Sequence, residues 1–117
     1  MTDADDGREL LRRGDAFVKA GDVTSAAREY LAYCEHVERY GTTGAVPSAL
    51  RLVAVRKHVL SMVPELRDVR RTLAENYLQL GLVDDARGEL RRLAAEWAAS
   101  GDVAARDEAL GRLRELG

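Results

Sequence analysis

The chain has 117 residues, of which 46% are hydrophobic, 32% charged and 5% aromatic, and its formal net charge is −2. This length allows one domain of ordinary size, and the apolar fraction is too high for a disordered tail. The small net charge argues against general binding to nucleic acid or acidic membranes, and a single cysteine excludes an internal disulfide.

The segment MTDADDGREL at the start of the sequence is acidic, whereas a signal peptide is basic and then apolar. No apolar run approaches the roughly 20 residues that cross a bilayer. We therefore expect a soluble, cytoplasmic domain without a membrane-spanning segment.

Helix is the regular structure that the pattern of apolar residues predicts along the whole chain. Ala, Leu, Arg and Glu dominate the composition and favour helix, and apolar positions recur with the helical period of about 3.6 residues. The first predicted helix covers 5–20 and ends at Gly21. Asp22 can cap the second helix, which covers 23–40.

The third predicted helix covers 47–62 and begins with Pro47. Proline lacks a backbone N–H, which costs nothing here because the N–H groups of a first helical turn have no partner within the helix. The third helix is apolar around most of its circumference, which predicts a central helix packed on more than one side. Pro64 ends it. Every connection is short, so neighbouring helices must form antiparallel hairpins. The remaining predicted helices are 65–80, 83–100 and 103–116.

An internal repeat relates the two halves of the chain, 5–62 and 65–117. A shift of 60 residues overlays them without a gap and places the helix-ending Gly21 on Gly81. Each half is therefore predicted to be a three-helix unit, and such units bury a core against their neighbours. Further identical pairs are Val23 and Val83, Ala26 and Ala86, Glu29 and Glu89, Gly41 and Gly101, Ala49 and Ala109, and Leu50 and Leu110.

Five positions with fixed spacing recur in both halves. They are Gly14, Phe17, Gly21, Ala26 and Tyr30 in the first half, and Ala74, Tyr77, Gly81, Ala86 and Leu90 in the second. The order of a small residue, an aromatic, Gly, Ala and a large residue resembles the tetratricopeptide repeat. Arg70 stands where that motif has a Trp-like residue, and the resemblance is weaker over 41–64 and 101–117.

The spacing places the small residues of this motif where two helices cross closely, with Phe17 and Tyr77 filling the space beside them. The resemblance implies an all-α fold, a short right-handed superhelix of about six antiparallel helices in a single domain, 1–117. Tetratricopeptide arrays present the first helix of each hairpin along a concave groove. Carried over by position, that groove would be lined by Leu11, Asp15, Val18, Lys19, Arg71, Thr72, Glu75, Leu78 and Gln79.

The resemblance implies a protein-interaction module, and such a mixed charged and apolar surface suits an extended peptide or a helix of a partner protein. Some family members grip a C-terminal carboxylate with a clamp that includes Asn. Asp15 and Glu75 stand at that place here and would repel the carboxylate, so we expect no binding of that type.

Two alternatives to an adaptor remain. The first is a self-assembling subunit that forms a homodimer through an open end of the stack. The second is a regulatory domain that acts on an enzyme or on nucleic acid. The sixth predicted helix is rich in charged residues and looks like a solubilising cap, which favours the adaptor.

The sequence contains no arrangement of residues that indicates catalysis, a metal or a cofactor. Cys34 lies within a helix among apolar residues, so we interpret it as a buried structural thiol. His36 points to another face of that helix, and neither His36 nor His58 has zinc-ligand spacing. The glycines punctuate helices and form no phosphate-binding loop. We therefore expect no enzyme activity.

Two further features each have alternative interpretations. Trp97 continues the apolar stripe of the fifth predicted helix, and it is either a core residue or an exposed anchor for a partner. Basic residues concentrate over 51–71, which indicates a solvated helix face, a docking surface for an acidic peptide, or a nucleic-acid site. The last is disfavoured by the acidic balance of the chain. The basic residues are Arg51, Arg56, Lys57, His58, Arg67, Arg70 and Arg71.

Overall fold

The computed structural model describes residues 3–42 and 47–117, with side chains described from Gly7 onward. Within these residues the regular structure is entirely α-helical, in six helices, so the all-α prediction is confirmed. The helix ends lie at or close to their predicted positions. The helices are α1 Asp3–Lys19, α2 Val23–Tyr40, α3 Ser48–Met62, α4 Arg67–Gln79, α5 Val83–Ser100 and α6 Val103–Leu116.

The chain divides into two compact units, unit 1 (residues 1–66) and unit 2 (67–117), each with three of the described helices. Their boundary lies close to Pro64, where the sequence predicts the link between its halves. In unit 1, α2 packs against both α1 and α3. In unit 2, α5 packs against both α4 and α6.

The helix ends follow from local chemistry at equivalent places in the two units. Gly21 and Gly81 have φ of +77° and +75°, a left-handed conformation that favours glycine. Each donates its N–H to the carbonyl three residues back and closes the turn after its helix. The Asp22 carboxylate accepts hydrogen bonds from the hydroxyl of Ser25 and from its N–H, and the second of these caps α2. The hydroxyl first, and then the N–H, lower the pKa of Asp22.

Helices α1 and α2 approach each other closely at Gly14. A Cβ atom at this position would lie 2.5 Å from the ring of Tyr30, which is closer than two such atoms can come. Residues Cys34 and Val37 are buried in the core beside this crossing. Gly14 therefore lies where two helices approach closely, against the large ring of Tyr30, and Ala26 is fully buried.

Unit 2 repeats this arrangement with different side chains. Ala74 and Leu90, which correspond to Gly14 and Tyr30, lie in one buried cluster with Trp97. Trp97 is 7% exposed, so it is a core residue. The other buried members of the cluster are Leu93, Ala94 and Ala109.

Two predictions about packing need correction. Helix α3 is not buried around its circumference, because Leu50 and Ala54 lie one helical turn apart on a face that is exposed. Tyr77 is buried as predicted, whereas the equivalent Phe17 is only half-buried. The large ring of Tyr30 already fills the space at the α1–α2 crossing, where unit 2 has the smaller Leu90.

Candidate protein-binding grooves

Unit 2 contains a groove, here called the α4–α6 groove, with a volume of about 430 Å³. Its apolar lining consists of Leu90, Trp97 and Ala109. Arg71 and Glu75, two of the residues predicted for the concave face, line it from α4. The residues from α6 are Glu108, Gly111, Arg112 and Glu115.

Ion pairs join the two charged walls of the α4–α6 groove. The guanidinium of Arg112 donates to both carboxylate oxygens of Glu75 at 3.0 and 3.1 Å, and to Glu115 at 2.8 Å. Hydrogen bonding to Glu75 is the main reason why the pKa of Arg112 is raised above its ordinary value. Arg71 donates to Glu108 at 3.4 Å. The charges of this groove are therefore matched internally, with each arginine beside a glutamate.

Unit 1 contains a second groove, here called the α1–α3 groove, with a volume of about 360 Å³. Leu11 and Val37 form part of its apolar lining, and three basic side chains also line it. The complete lining consists of Gly7, Arg8, Leu11, Tyr33, His36, Val37, Tyr40, Gly41, Thr42 and Arg51.

Asp15 lies beside this groove, in an adjoining open depression that also includes Arg8 and Leu11. Its carboxylate accepts a hydrogen bond of 2.5 Å from the hydroxyl of Tyr30. Burial, and then this carboxylate, raise the pKa of Tyr30 to about 12. The ring of Tyr30 also meets the ring of His58 edge-on, with centroids 5.2 Å apart. Asp15 therefore helps to hold α1 on α2.

The two grooves overlap at three positions of the repeat. Leu11 of the α1–α3 groove corresponds to Arg71 of the α4–α6 groove, because the shift between the halves is 60 residues. Two further lining pairs have the same relation. They are Val37 with Trp97, and Arg51 with Gly111.

Several residues predicted for the concave face line neither groove. Val18 is 39% exposed at the end of α1, next to the exposed Lys19. On α4, the Thr72 hydroxyl donates to a backbone carbonyl of its own helix, and Leu78 is half-buried. Gln79 accepts a hydrogen bond from Asn76. The structure therefore brings only Leu11, Asp15, Arg71 and Glu75 of the predicted set to the grooves or beside them.

The prediction missed the contributions of the other helices. It used only the first helix of each hairpin and treated the charged residues of α6 as a solubilising cap. Glu108, Arg112 and Glu115 recur at intervals of four and three, which places them on one helix face beside Ala109. That spacing is a signal that could have identified the wall from α6.

The basic stretch 51–71 does not form one continuous solvated face. Arg56 is 6% exposed and pairs with Glu38 of α2 at 2.8 Å, and Arg70 is 4% exposed and pairs with Glu89 of α5 at 2.8 Å. These arginines are structural because their partners lie on the neighbouring helix. The solvated-face interpretation is therefore wrong for both.

The single cysteine is part of the core. Cys34 is fully buried in unit 1, as interpreted from the sequence. Burial raises the pKa of its thiol to about 11, so the thiolate that acts as a nucleophile is disfavoured at neutral pH. His36, two residues along, lines the α1–α3 groove instead.

The described part of the chain has no group of three or more His, Cys, Asp or Glu side chains placed to hold a metal ion. None of the helices within it is long and apolar enough to cross a membrane. Comparison of the chain with protein-family models, curated proteins and solved structures finds no match. A functional proposal therefore depends on the grooves and on the repeat.

Proposed function

We propose that this chain is a non-enzymatic protein-interaction module of tetratricopeptide-like repeats, which binds a peptide segment or a helix of a partner protein. One observation carries the proposal. Both halves have a groove, the two linings share three positions of the repeat, and they include Leu11 and Arg71, which the resemblance implies for a concave binding face.

The composition of the α4–α6 groove suits a protein segment. Trp97 and Ala109, which are 7% and 3% exposed, form part of its apolar lining, and charged side chains such as Arg71 and Glu75 flank it. An extended peptide or a helix can place one apolar side chain on that surface while its polar groups meet the flanking charges. Rigid helices on both sides hold these groups in place, which lowers the entropy lost on binding.

Charge reversal in the α4–α6 groove tests this proposal. We expect Arg71→Glu combined with Glu75→Arg to abolish recovery of a partner protein in a pull-down from an extract of the source cells. Arg91→Glu is the matched control, because Arg91 is exposed on α5 and lines neither groove. A partner recovered equally well by the wild type and the double variant would contradict binding in this groove.

Folding must be monitored in this experiment because both residues form ion pairs with α6. Thermal unfolding of each variant, followed by circular dichroism, provides that check. If the reversed variant is destabilised, Arg71→Gln combined with Glu75→Gln removes the charges without creating repulsion. We expect this neutral variant to weaken partner binding as well.

Self-assembly is the second candidate function, and exposed apolar side chains favour it. Leu50 of α3 and Leu110 of α6 occupy equivalent repeat positions and are 46% and 40% exposed. Val103, about two helical turns before Leu110 on the same face of α6, is 52% exposed. Exposed apolar residues are frequent in dimer interfaces. Light scattering of the wild type across a dilution series tests whether the protein forms a dimer. A homodimer that Leu110→Glu converts to a monomer would support it, and a monomer at all concentrations would exclude it.

A further inference from the structure

We propose that the α1–α3 groove binds an acidic segment of a partner protein, with an apolar side chain next to its carboxylates. This inference rests on the proposed function and specifies the partner for one of its two grooves. It follows from Arg51, which lines an apolar groove and whose buried Nε atom has no hydrogen-bond partner in the described part of the chain.

Arg8, His36 and Arg51 contribute to the lining of the α1–α3 groove. Asp15 lies in the adjoining depression, where its carboxylate accepts a hydrogen bond from the hydroxyl of Tyr30.

In the α4–α6 groove, Arg71 pairs with Glu108 and Arg112 with Glu75. The buried Nε atom of Arg51, by contrast, has no hydrogen-bond partner in the described part of the chain. An arginine with an unpartnered N–H at a groove attracts a carboxylate and discriminates against basic segments.

Arg51 is the residue best suited to contact a carboxylate. It lies near the start of α3, half-buried in the groove lining. Its Nε atom is buried and has no hydrogen-bond partner in the described part of the chain. A buried N–H without an acceptor is unfavourable, and the planar guanidinium is matched by the two oxygens of a carboxylate.

An aromatic and apolar surface lies beside these charges. The rings of His36 and Tyr40 are 4.9 Å apart, and Tyr40 is 54% exposed. Leu11, Val37 and Tyr33 complete the apolar part of the lining. A leucine or aromatic side chain that follows a carboxylate would bury its surface here, and exposed tyrosines are favoured at such contacts.

The observations favour a protein segment over nucleic acid. The formal net charge of the chain is −2, which opposes a long polyanion, and the basic lining is confined to one groove. Arg56 and Arg70, which could have extended a basic surface, are buried in ion pairs. A short acidic segment can be bound by the basic side chains of this one groove.

Fluorescence anisotropy with labelled peptides tests the inference. The probes are acidic octapeptides of Asp and Glu with Leu, Ile, Phe or Tyr at the centre, and the matched probes carry Lys in place of every acid. We expect the acidic probes alone to bind. Arg51→Glu should weaken the binding by about tenfold or more, and Tyr40→Ser by several-fold. Arg91→Glu, on the exposed face of α5, should leave it unchanged.

A milder variant guards against misfolding. Arg51→Gln keeps a polar side chain of similar shape and removes the charge, so a folded Arg51→Gln protein that binds the acidic probes as the wild type does would overturn the inference. Equal binding of the acidic and lysine probes would also overturn it. Displacement of the acidic probes by a short single-stranded oligonucleotide, at a lower concentration than unlabelled acidic peptide requires, would also overturn the inference.

The failure of this inference is distinguishable from failure of the proposed function. If no acidic probe binds, but a partner is captured and lost with the Arg71 and Glu75 variants alone, the inference is wrong and the proposed function stands. If the acidic probes do not bind and no partner responds to changes in either groove, both are wrong.

Discussion

Only a very small residue fits at position 14 of α1, because a Cβ there would lie 2.5 Å from the ring of Tyr30. We expect Gly14→Ala to lower the free energy of unfolding by about 1–3 kcal/mol, since the ring or the helix must shift. Gly88 in α5 is the matched control. A Cβ at Gly88 meets nothing within 4 Å, so Gly88→Ala should raise the free energy of unfolding by about 0.5–1 kcal/mol.

Urea denaturation of both variants provides these two free energies. The second half of the chain suggests a rescue, because Ala74 there faces the smaller Leu90. We therefore expect Tyr30→Leu to destabilise the protein less in the Gly14→Ala background than in the wild type. Equal losses in the two backgrounds would show that the Gly14 and Tyr30 positions are not coupled.

The buried thiol of Cys34 predicts a dependence of stability on alkaline pH. The pKa of this thiol is raised from 9.0 to about 11 in the folded protein, so the folded state holds the proton more tightly than the unfolded state. The corresponding stabilisation is complete below pH 9 and is lost as the pH rises toward 11, by at most about 1.4 kcal/mol per pH unit.

Urea denaturation over this pH range measures the effect, and Cys34→Ala is the test variant. We expect the free energy of unfolding of the wild type to fall more steeply between pH 9 and 11 than that of Cys34→Ala. Their slopes should agree below pH 9. Identical slopes throughout would mean that the thiol titrates alike in the folded and unfolded chains.

At the scale of the helices, the N-caps differ between equivalent positions. Asp22 and Asp102 accept a backbone N–H at the starts of α2 and α6, whereas Leu82 at the start of α5 provides no such bond. The backbone at Leu82, with φ of −90° and ψ of 69°, resembles that of the two capped positions. An asparagine at position 82 could therefore cap α5 without a change of backbone.

We expect Leu82→Asn to raise the free energy of unfolding by about 0.5–2 kcal/mol, because a polar cap satisfies an N–H of the first turn. Leu82 is 42% exposed, so little apolar contact is lost. Thermal and urea unfolding measure the change. Asp102→Ala, which removes an existing cap, should shift the midpoint in the opposite direction, and a shift of both variants in the same direction would contradict this account.

The hairpins of both units are reinforced by ion pairs between helices. Arg56 joins α3 to α2, and Arg70 joins α4 to α5. Arg70 occupies a place where the repeat motif has a large apolar residue. Its contact with Glu89 explains how a charged side chain can be buried there, because a buried charge requires a partner of opposite sign.

At the scale of the whole molecule, the relation between the halves predicts matched responses to matched mutations. Ala26 and Ala86 are equivalent and are both fully buried. We expect Ala26→Leu and Ala86→Leu each to lower the free energy of unfolding by about 1–3 kcal/mol, because each overpacks a helix crossing. Urea unfolding measures both, and tolerance of either substitution would count against an equivalent core in the two halves.

The helix positions were predictable from local signals. Gly21, Gly81 and Pro64 interrupt the apolar periodicity, and Asp22 and Asp102 start the helices that follow them. The burial of Cys34 was also predictable, because its helix carries a continuous apolar stripe. These features depend on contacts within a few residues or on the face that a side chain occupies, both of which can be read along the chain.

The candidate grooves were only partly predictable. Arg71 and Glu75 were assigned from the repeat, but their partners on α6 lie 37 residues away in the sequence. The roles of individual arginines were also not predictable, because they depend on contacts with residues that are distant in the sequence. Arg56 is buried against Glu38, whereas Arg51 lines a groove, and both are arginines of the same helix.

The order and limits of the helices, their amphipathic faces and the repeat of the two halves are properties of the sequence, because each arises from interactions between near neighbours. Which charged side chains are paired, and which remain at a groove, depends on how neighbouring helices pack. An ion pair forms only where folding brings two distant residues within a few ångströms, and composition does not specify that distance. The pairing of Arg71 and Arg112 with glutamates in the α4–α6 groove, and the place of Arg51 in the α1–α3 groove, are therefore properties of the tertiary structure.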